Sequence, residues 1–95
     1  MPEDDVVFVG QKPVTAYVMA CVAQFNRGTD KVILKARGKA ISRCVDVAEV
    51  LNRRFMQGLV EVEDIQISTE VLDNREGRSS NVSAIEITIK KTKKS

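Results

Sequence analysis

The chain has 95 residues, 43% of them hydrophobic, and carries 15 lysines and arginines against 13 aspartates and glutamates. This size and composition predict a single domain over residues 1–95 with an ordinary core, and residues 1–5 and 92–95 read as frayed tails. The chain has no histidine and only two cysteines. Catalytic triads that use histidine are therefore excluded, and a structural zinc ion would lack ligands, so no metal and no cofactor is expected.

The same features predict where the protein resides. No apolar run approaches the ~20 residues that a membrane-spanning helix needs, and no secretory signal is recognisable at the start of the sequence. We therefore expect a cytoplasmic protein without a membrane partner. Cys21 and Cys44 fall inside helical patterns, and they are expected to be reduced, buried thiols.

The first half of the chain predicts a strand, a helix and a second strand. Residues 6–9 are apolar and end at Gly10, which is typical of a buried strand. Pro13 suits the first position of a helix, and an apolar stripe at steps of three and four runs from there to Phe25. Gly28 follows as a cap. Residues 31–36 alternate as a strand, with Val32, Leu34 and Ala36 on one face.

The second half predicts a helix and two long strands. The helical stripe consists of Ile41, Cys44, Val45, Ala48, Leu51 and Phe55, and Gly58 ends it. Residues 60–72 form a strand whose alternation slips at Glu63 and Asp64, which indicates a bulge. A polar turn of about eight residues precedes the last strand, residues 82–90. The order βαβαββ predicts an α/β (α+β sandwich) fold: a four-stranded mixed sheet, two helices on one face, and an extended arm formed by the last two strands.

Basic residues concentrate where the second strand meets the second helix. Residues 35–43 contain no carboxylate, and Gly38 stands in the middle of their four cations: Lys35, Arg37, Lys39 and Arg43. A strand-to-helix junction leaves backbone N–H groups free and suits phosphate. Lys12 lies at the first junction, and parallel strands would bring both junctions to the same edge of the sheet. The pattern predicts a cationic platform for nucleic-acid phosphates, with a solvated basic loop as the alternative.

Charge is also segregated along the chain. Residues 27–43 carry six cations and one acid, whereas residues 61–73 carry five acids and no cation. This segregation predicts one positive face on a nearly neutral molecule. Arg75 and Arg78 lie at the predicted tip of the arm, where they could reach phosphates or a groove. A plain solvated turn is the alternative for that tip.

Several motifs in a fixed order resemble the Alba family of small archaeal chromatin proteins. They are Val9-Gly10-Gln11-Lys12-Pro13-Val14 with Tyr17-Val18, Lys35-Ala36-Arg37-Gly38-Lys39-Ala40-Ile41-Ser42, Asn52-Arg53-Arg54-Phe55, and Gly77-Arg78 followed by Val82-Ser83-Ala84-Ile85-Glu86-Ile87. The resemblance covers residues 6–90. It implies a chromosome-associated homodimer that binds double-stranded DNA, and also RNA, with little sequence preference.

The resemblance also implies roles for individual residues. The nucleic-acid-binding positions would be Lys12, Arg37, Gly38, Lys39, Arg43, Arg75 and Arg78. Arg54, Phe55 and Met56 match the contact between neighbouring dimers on DNA, and the second helix with the last strands would form the dimer surface. The family typically has two lysines before the proline, and acetylation of the first weakens DNA binding. Gln11 occupies that position here, so Lys12 is the candidate modification site.

The composition, the basic junctions and the family resemblance leave three candidate functions. The first is a DNA-coating or DNA-bridging architectural protein that is not an enzyme and acts through phosphate contacts. The second is an RNA-binding subunit of a ribonucleoprotein or translation-control protein. The third is an enzyme for a small phosphorylated ligand, which the lack of an acid–base pair beside Gly38 disfavours. Most aromatic residues fall in apolar stripes, which favours duplexes or structured RNA over unpaired strands. A paralogous partner for a heterodimer is left open.

Overall fold

A computed structural model describes residues 5–74 and 76–92. The elements are, in chain order, β1 (Asp5–Phe8), α1 (Val14–Asn26), β2 (Lys31–Arg37), a 3₁₀ turn (Gly38–Ala40), α2 (Ile41–Val50), a π-helical segment (Leu51–Phe55), β3 (Val60–Asp73) and β4 (Ser79–Lys91). The predicted order βαβαββ is confirmed. Asp5, which was predicted to belong to a tail, is the first residue of β1 and pairs with Val32.

The strands form one four-stranded sheet in the order β1-β2-β4-β3. β1 and β2 are parallel, as the crossover through α1 requires, and the other two pairings are antiparallel. The mixed sheet predicted from the sequence is therefore confirmed. β1 and β3 are the two edge strands.

Both helices pack on one face of the sheet, which we call the covered face. Alternate strand residues point into it, and the helices contribute the rest of the core. Val32, Leu34 and Ala36 of β2 are buried there, as predicted, opposite Ile89, Ile87 and Ile85 of β4. Cys21 and Cys44 are free, fully buried thiols in this core, as predicted. Burial raises the pKa of Cys21 to about 12 and that of Cys44 to about 11.

On the opposite face of the sheet no helix of residues 5–74 and 76–92 packs, and we call it the open face. β1 was predicted to be a buried strand, but only its Val7 side chain is buried, whereas Val6 and Phe8 are exposed on the open face. The continuous apolar run of residues 6–9 therefore does not mean that both faces of β1 are buried. An edge strand with one uncovered face buries only every second residue.

The buried stripe of the second helix also differs from the prediction. Cys44, Val47, Ala48 and Leu51 are buried, while Val45 and Phe55 are exposed. Regular helical geometry ends at Val50, and the following π-helical turn shifts the later residues around the axis. The predicted single stripe assumed an uninterrupted α-helix, so it placed Phe55 in line with the core residues. Val45 lies before the π-helical turn, at the edge of the buried stripe, where the regular helix leaves its side chain exposed.

β3 and β4 form the predicted long hairpin, with the predicted irregularity between Val62 and Asp64. β2 pairs with β4 only between Ala84 and Lys90, so residues 69–73 and 79–83 extend beyond it as an arm. At ~3.4 Å per residue the arm projects by roughly 17 Å. Its connecting turn, residues 74–78, is shorter than the predicted eight residues because the strands continue into the polar segment.

Candidate nucleic-acid interface

The two strand-to-helix junctions meet at one edge of the sheet. β1 leads into α1 through residues 9–13, and β2 leads into α2 through the 3₁₀ turn. Because β1 and β2 are parallel, both junctions lie at the carboxyl ends of their strands. The arm projects past this same edge, since β4 continues beyond its Arg37–Ala84 pairing with β2. The fold therefore brings those predicted binding positions that it describes to one end of the molecule.

Tyr17 organises the first junction. Its hydroxyl oxygen accepts hydrogen bonds from the backbone N–H of Gly10, at 2.9 Å, and of Lys12, at 3.0 Å. The Lys12 bond is the main reason that the pKa of Tyr17 is lowered from its usual value, and the positive charges of Lys12 and Arg43 add to the effect. The loop is thereby fixed with the exposed Lys12 side chain at its end.

The apolar periodicity of the sequence places Tyr17 in the helical stripe of α1 and does not indicate this role. Helical side chains tilt toward the helix N-terminus. A tyrosine in the first turn after Pro13 can therefore reach back to the preceding loop. The position of Tyr17 four residues after Pro13 is the feature of the sequence that could have indicated this contact.

Arg43 connects the two junctions. Its Nη1 donates a 2.7 Å hydrogen bond to the carbonyl oxygen of Gly10, which lies 33 positions earlier in the chain. Arg43 was predicted to contact phosphate, and the structure gives its guanidinium this internal partner. The contact fixes the position of the first junction relative to α2.

The second junction depends on Gly38. Its φ of +59° is in the left-handed region, which side chains disfavour. A Cβ atom at Gly38 would stand 3.6 Å from a methyl carbon of Val82, so the backbone here packs against the base of the arm. Lys39 follows on the exposed surface of the 3₁₀ turn.

Two of the predicted cations form ion pairs on the open face. Arg37 Nη1 lies 3.1 Å from Glu70 Oε1 on β3, and Lys35 Nζ lies 3.5 Å from Glu86 Oε2 on β4. In the described part of the chain, no ion pair involves Lys12 or Lys39. Arg43 also forms no ion pair there, since its partner is the Gly10 carbonyl, so the unpaired positive charge at this edge is on Lys12, Lys39 and Arg43.

A surface depression lies at this edge of the sheet, and we call it the junction groove. Its lining includes Phe8, Gly10, Gln11, Tyr17, Lys35, Arg37, Lys39, Arg43, Glu70 and Glu86. Cations predominate in the lining, and the exposed ring of Phe8 lies among them. Most aromatic residues were predicted to fall in apolar stripes; Phe25 is buried in the core, whereas Phe8, from the apolar run of β1, is exposed.

The tip of the arm is a compact turn. The side-chain oxygen of Asn74 accepts hydrogen bonds from the N–H groups of Glu76 and Arg78, and Asn74 N–H donates to the Arg78 carbonyl oxygen. Gly77 has a positive φ of 80°. The Arg78 residue is exposed. Arg75, the second predicted tip cation, lies outside the described residues.

The residues expected at a contact between dimers are divided between surface and core. Phe55 is 44% exposed and Arg54 is also exposed, at the end of the π-helical segment. Met56 is only 9% exposed and packs in the core. The backbone leaves helical geometry at Met56, which turns this side chain away from its two neighbours.

Neither a metal centre nor a membrane span is found among the described residues. Within them no group of three or more histidine, cysteine, aspartate or glutamate side chains is arranged to hold a metal ion. None of their helices is long and apolar enough to cross a membrane.

The architecture and the cationic edge define a class: small βαβαββ proteins with a basic surface at the strand-to-helix junctions. The family model described as "Alba" matches residues 5–69. The chain therefore belongs to the Alba family.

Individual relatives agree over nearly the whole chain. A protein from Methanocella arvoryzae named "DNA/RNA-binding protein Alba" is 57% identical, over 96% of this chain and 94% of its own. One of the same name from Methanothrix thermoacetophila is 60% identical, over 96% and 100%. The solved structure of Alba from Thermoplasma volcanium superimposes with a TM-score of 0.84 at 49% identity, covering 90% of this chain and 99% of its own. These names describe nucleic-acid-binding proteins and not enzymes, in agreement with the expectation from the sequence.

Proposed function

We propose that the protein binds double-stranded DNA, and also RNA, through phosphate contacts at the edge that carries both junctions. The observation that carries this proposal is the convergence of two groups at one edge of the sheet, with the arm beside them. Arg37, Lys39 and Arg43 line the junction groove. Lys12 lies in the adjacent loop, which Tyr17 and Arg43 hold. Cations at this edge would release counterions from the nucleic acid on binding, which gives affinity without base readout. The names of the relatives support the same ligands.

A salt series tests this mechanism. If a dimer neutralises roughly 4–8 phosphates, the slope of log affinity against log salt on duplex DNA should be about −4 to −7. Changing Arg37 and Lys39 to alanine removes up to two contacts per chain, so the slope should flatten by about 3–4. The loss should be similar for unrelated sequences. A sequence-selective loss would indicate base readout instead.

The matched control removes the same charge elsewhere. Arg27 lies at the end of α1 and Lys91 at the end of β4, both at the opposite end of the molecule. The double change Arg27→Ala, Lys91→Ala should leave the slope close to that of the wild type. A slope near zero for the wild type would contradict phosphate neutralisation altogether.

We further propose that the protein acts as a homodimer. The edge strand β3 bears apolar side chains that project from its helix side and that nothing within the described chain covers: Val62, Ile65, Ile67 and Val71. Ile67 is 80% exposed, and Val45 and Phe55 of the neighbouring helical segments are also exposed. A continuous apolar surface of this kind on an edge strand favours association with a second copy.

The oligomeric state tests the dimer. Ile67→Glu should convert the dimer to a monomer in sedimentation experiments, because it places a charge in the proposed interface. Met19→Glu is the control, since Met19 is 53% exposed on α1, away from β3. If both variants remain dimers, the interface lies elsewhere.

The proposal includes two further points. The protein is associated with the chromosome in the cytoplasm, and neighbouring dimers contact each other through Arg54 and Phe55 as they coat DNA. Lys12 is its candidate modification site, because acetylation would neutralise an exposed cation that has no ion-pair partner among the described residues. An RNA-binding role in a ribonucleoprotein is the second candidate. It is favoured by the exposed aromatic residue in the junction groove, since base stacking is typical of RNA-binding surfaces.

A further inference from the structure

The most exposed aromatic side chain of the protein is Phe8, at 73%. It is the last residue of β1 and points to the open face, because Val7 before it is buried in the core. The core therefore does not explain the aromatic ring at this position. A single exposed apolar residue is ordinary on a protein surface, so its meaning depends on its neighbours.

The neighbours of Phe8 are cationic. Lys35 is its partner on β2, and adjacent strands are about 4.8 Å apart. Arg37 lies two residues further along β2 on the same face, and Lys39 follows at the junction. All four residues line the junction groove. An aromatic platform thus stands directly beside the proposed phosphate-binding groups.

This combination suits one kind of ligand. Proteins that hold unpaired nucleic-acid strands combine a cationic groove for the backbone with aromatic rings on which bases stack. An open sheet face that displays an aromatic residue is one of the common ways to do so. A paired base in a regular duplex does not offer its flat face to such a ring.

We propose that Phe8 is a stacking platform for one unpaired nucleobase, whose neighbouring phosphates bind the cations of the junction groove. This inference rests on the proposed function, because it uses the same groove. It adds a ligand class, the unpaired or looped-out nucleotide, as in RNA loops and strand ends. Duplex DNA would use the cations without the ring.

The first test compares three ligands at matched salt: an unpaired oligothymidine, an abasic strand of the same length, and a duplex. Phe8→Ala should weaken binding of the unpaired strand about 5- to 100-fold, the range expected for loss of one base–aromatic stack. The abasic strand and the duplex should change by less than about twofold, since they keep their phosphates but present no free base. Phe8→Trp should bind the unpaired strand at least as tightly as the wild type.

A spectroscopic test is independent of affinity. The chain contains no tryptophan, so Phe8→Trp introduces a single indole whose emission reports on stacking. Saturable quenching by the unpaired strand, but not by the abasic strand, is expected. Leu59→Trp is the matched control, because Leu59 is 57% exposed next to the other edge strand, β3. Its emission should change little.

Three other outcomes of these tests would contradict the proposal. Equal losses for all three ligands, or no loss for any, would overturn the stacking proposal while leaving phosphate binding in place. A change of oligomeric state in Phe8→Ala would show that the ring contacts a second copy instead, which also overturns it. If the wild type binds none of the ligands, the proposed function itself fails.

Discussion

Replacing Glu70 with glutamine should strengthen nucleic-acid binding, although Glu70 is itself a β3 residue outside the basic junctions. The Glu70 carboxylate lies 3.1 Å from the Arg37 guanidinium. A phosphate that binds Arg37 must compete with this carboxylate and is repelled by it. Glutamine is almost the same size but carries no charge, so it removes the competitor and leaves the strand intact.

The expected gain is modest because the pair is exposed. The two side chains are 58% and 47% accessible, and pairs of this kind contribute about 0.2–1 kcal/mol. A free-energy change of ~1.4 kcal/mol is a tenfold change in affinity, so each site should gain about 1.4- to 5-fold. If both protomers of a dimer engage one duplex, the gain should be roughly 2- to 25-fold.

The assay is a duplex titration at low and high salt, and the gain should diminish as salt screens the carboxylate. Glu61→Gln is the control, since Glu61 pairs with Lys90 at 3.6 Å, near the far end of the sheet, and makes the same change in net charge. Equal gains for both variants would mean that only net charge matters. A gain that persists in the Arg37→Ala background would likewise refute the argument, because the two residues would not be coupled.

Three further predictions concern stability and titration. Leu51→Ala should lower the free energy of unfolding by about 2–5 kcal/mol, whereas Phe55→Ala should lower it by less than about 2 kcal/mol, since the Phe55 ring is nearly half exposed. Phe55→Ala should instead reduce the cooperative coating of long DNA. A larger loss of stability in Phe55→Ala would contradict an interface role for this residue. Above about pH 8.5 the free energy of unfolding should fall as pH rises. The thiols of the unfolded chain ionise there, while burial holds the folded pKa of Cys21 at about 12 and of Cys44 at about 11. A Cys21→Ala, Cys44→Ala variant should lose less stability over this pH range, and an unchanged dependence of stability on pH would refute this cause. Tyr17 is the chain's one tyrosine, so ultraviolet absorbance should report its pKa directly, below the usual value and returning toward it on unfolding; an ordinary value in the folded protein would contradict the two N–H contacts.

The sequence predicted the elements whose patterns are local. The alternation of β2, the helical stripe of α1 and the parity slip near Glu63 each depend on side chains that are neighbours along one element. These features were confirmed because burial on one side imposes a period on the sequence. The βαβαββ topology followed from chain connectivity and the handedness of crossovers.

What the sequence did not reveal depends on contacts between distant segments. The Arg37–Glu70 pair spans 33 positions and requires the order β2-β4-β3. The exposure of Phe8 depends on β1 being an edge strand with an open face. The exposure of Phe55 depends on where α2 gives way to the π-helical segment, because Phe55 follows that point. Hydrophobic periodicity describes one element at a time, so it could not distinguish these cases.

The charge segregation along the chain has a different meaning in three dimensions. The acidic strand β3 lies two strands from the basic β2, with β4 between them. The acids therefore neutralise cations across the open face, as Glu63 does for Lys31 at 3.0 Å and Glu70 does for Arg37. Among the described residues, Lys12, Lys39 and Arg43 at the junction edge and Arg78 at the tip of the arm form no ion pair with a carboxylate.

This sorting explains how a chain with a net charge of only +2 can present a strongly basic edge. The acids lie where they offset cations on the sheet and leave Lys12 and Lys39 unopposed in the described chain. A phosphate backbone that approaches the end where the arm projects therefore meets cations that no carboxylate pairs with. It follows that Glu70→Gln, next to the junction edge, should alter affinity without changing any of the proposed phosphate-binding residues.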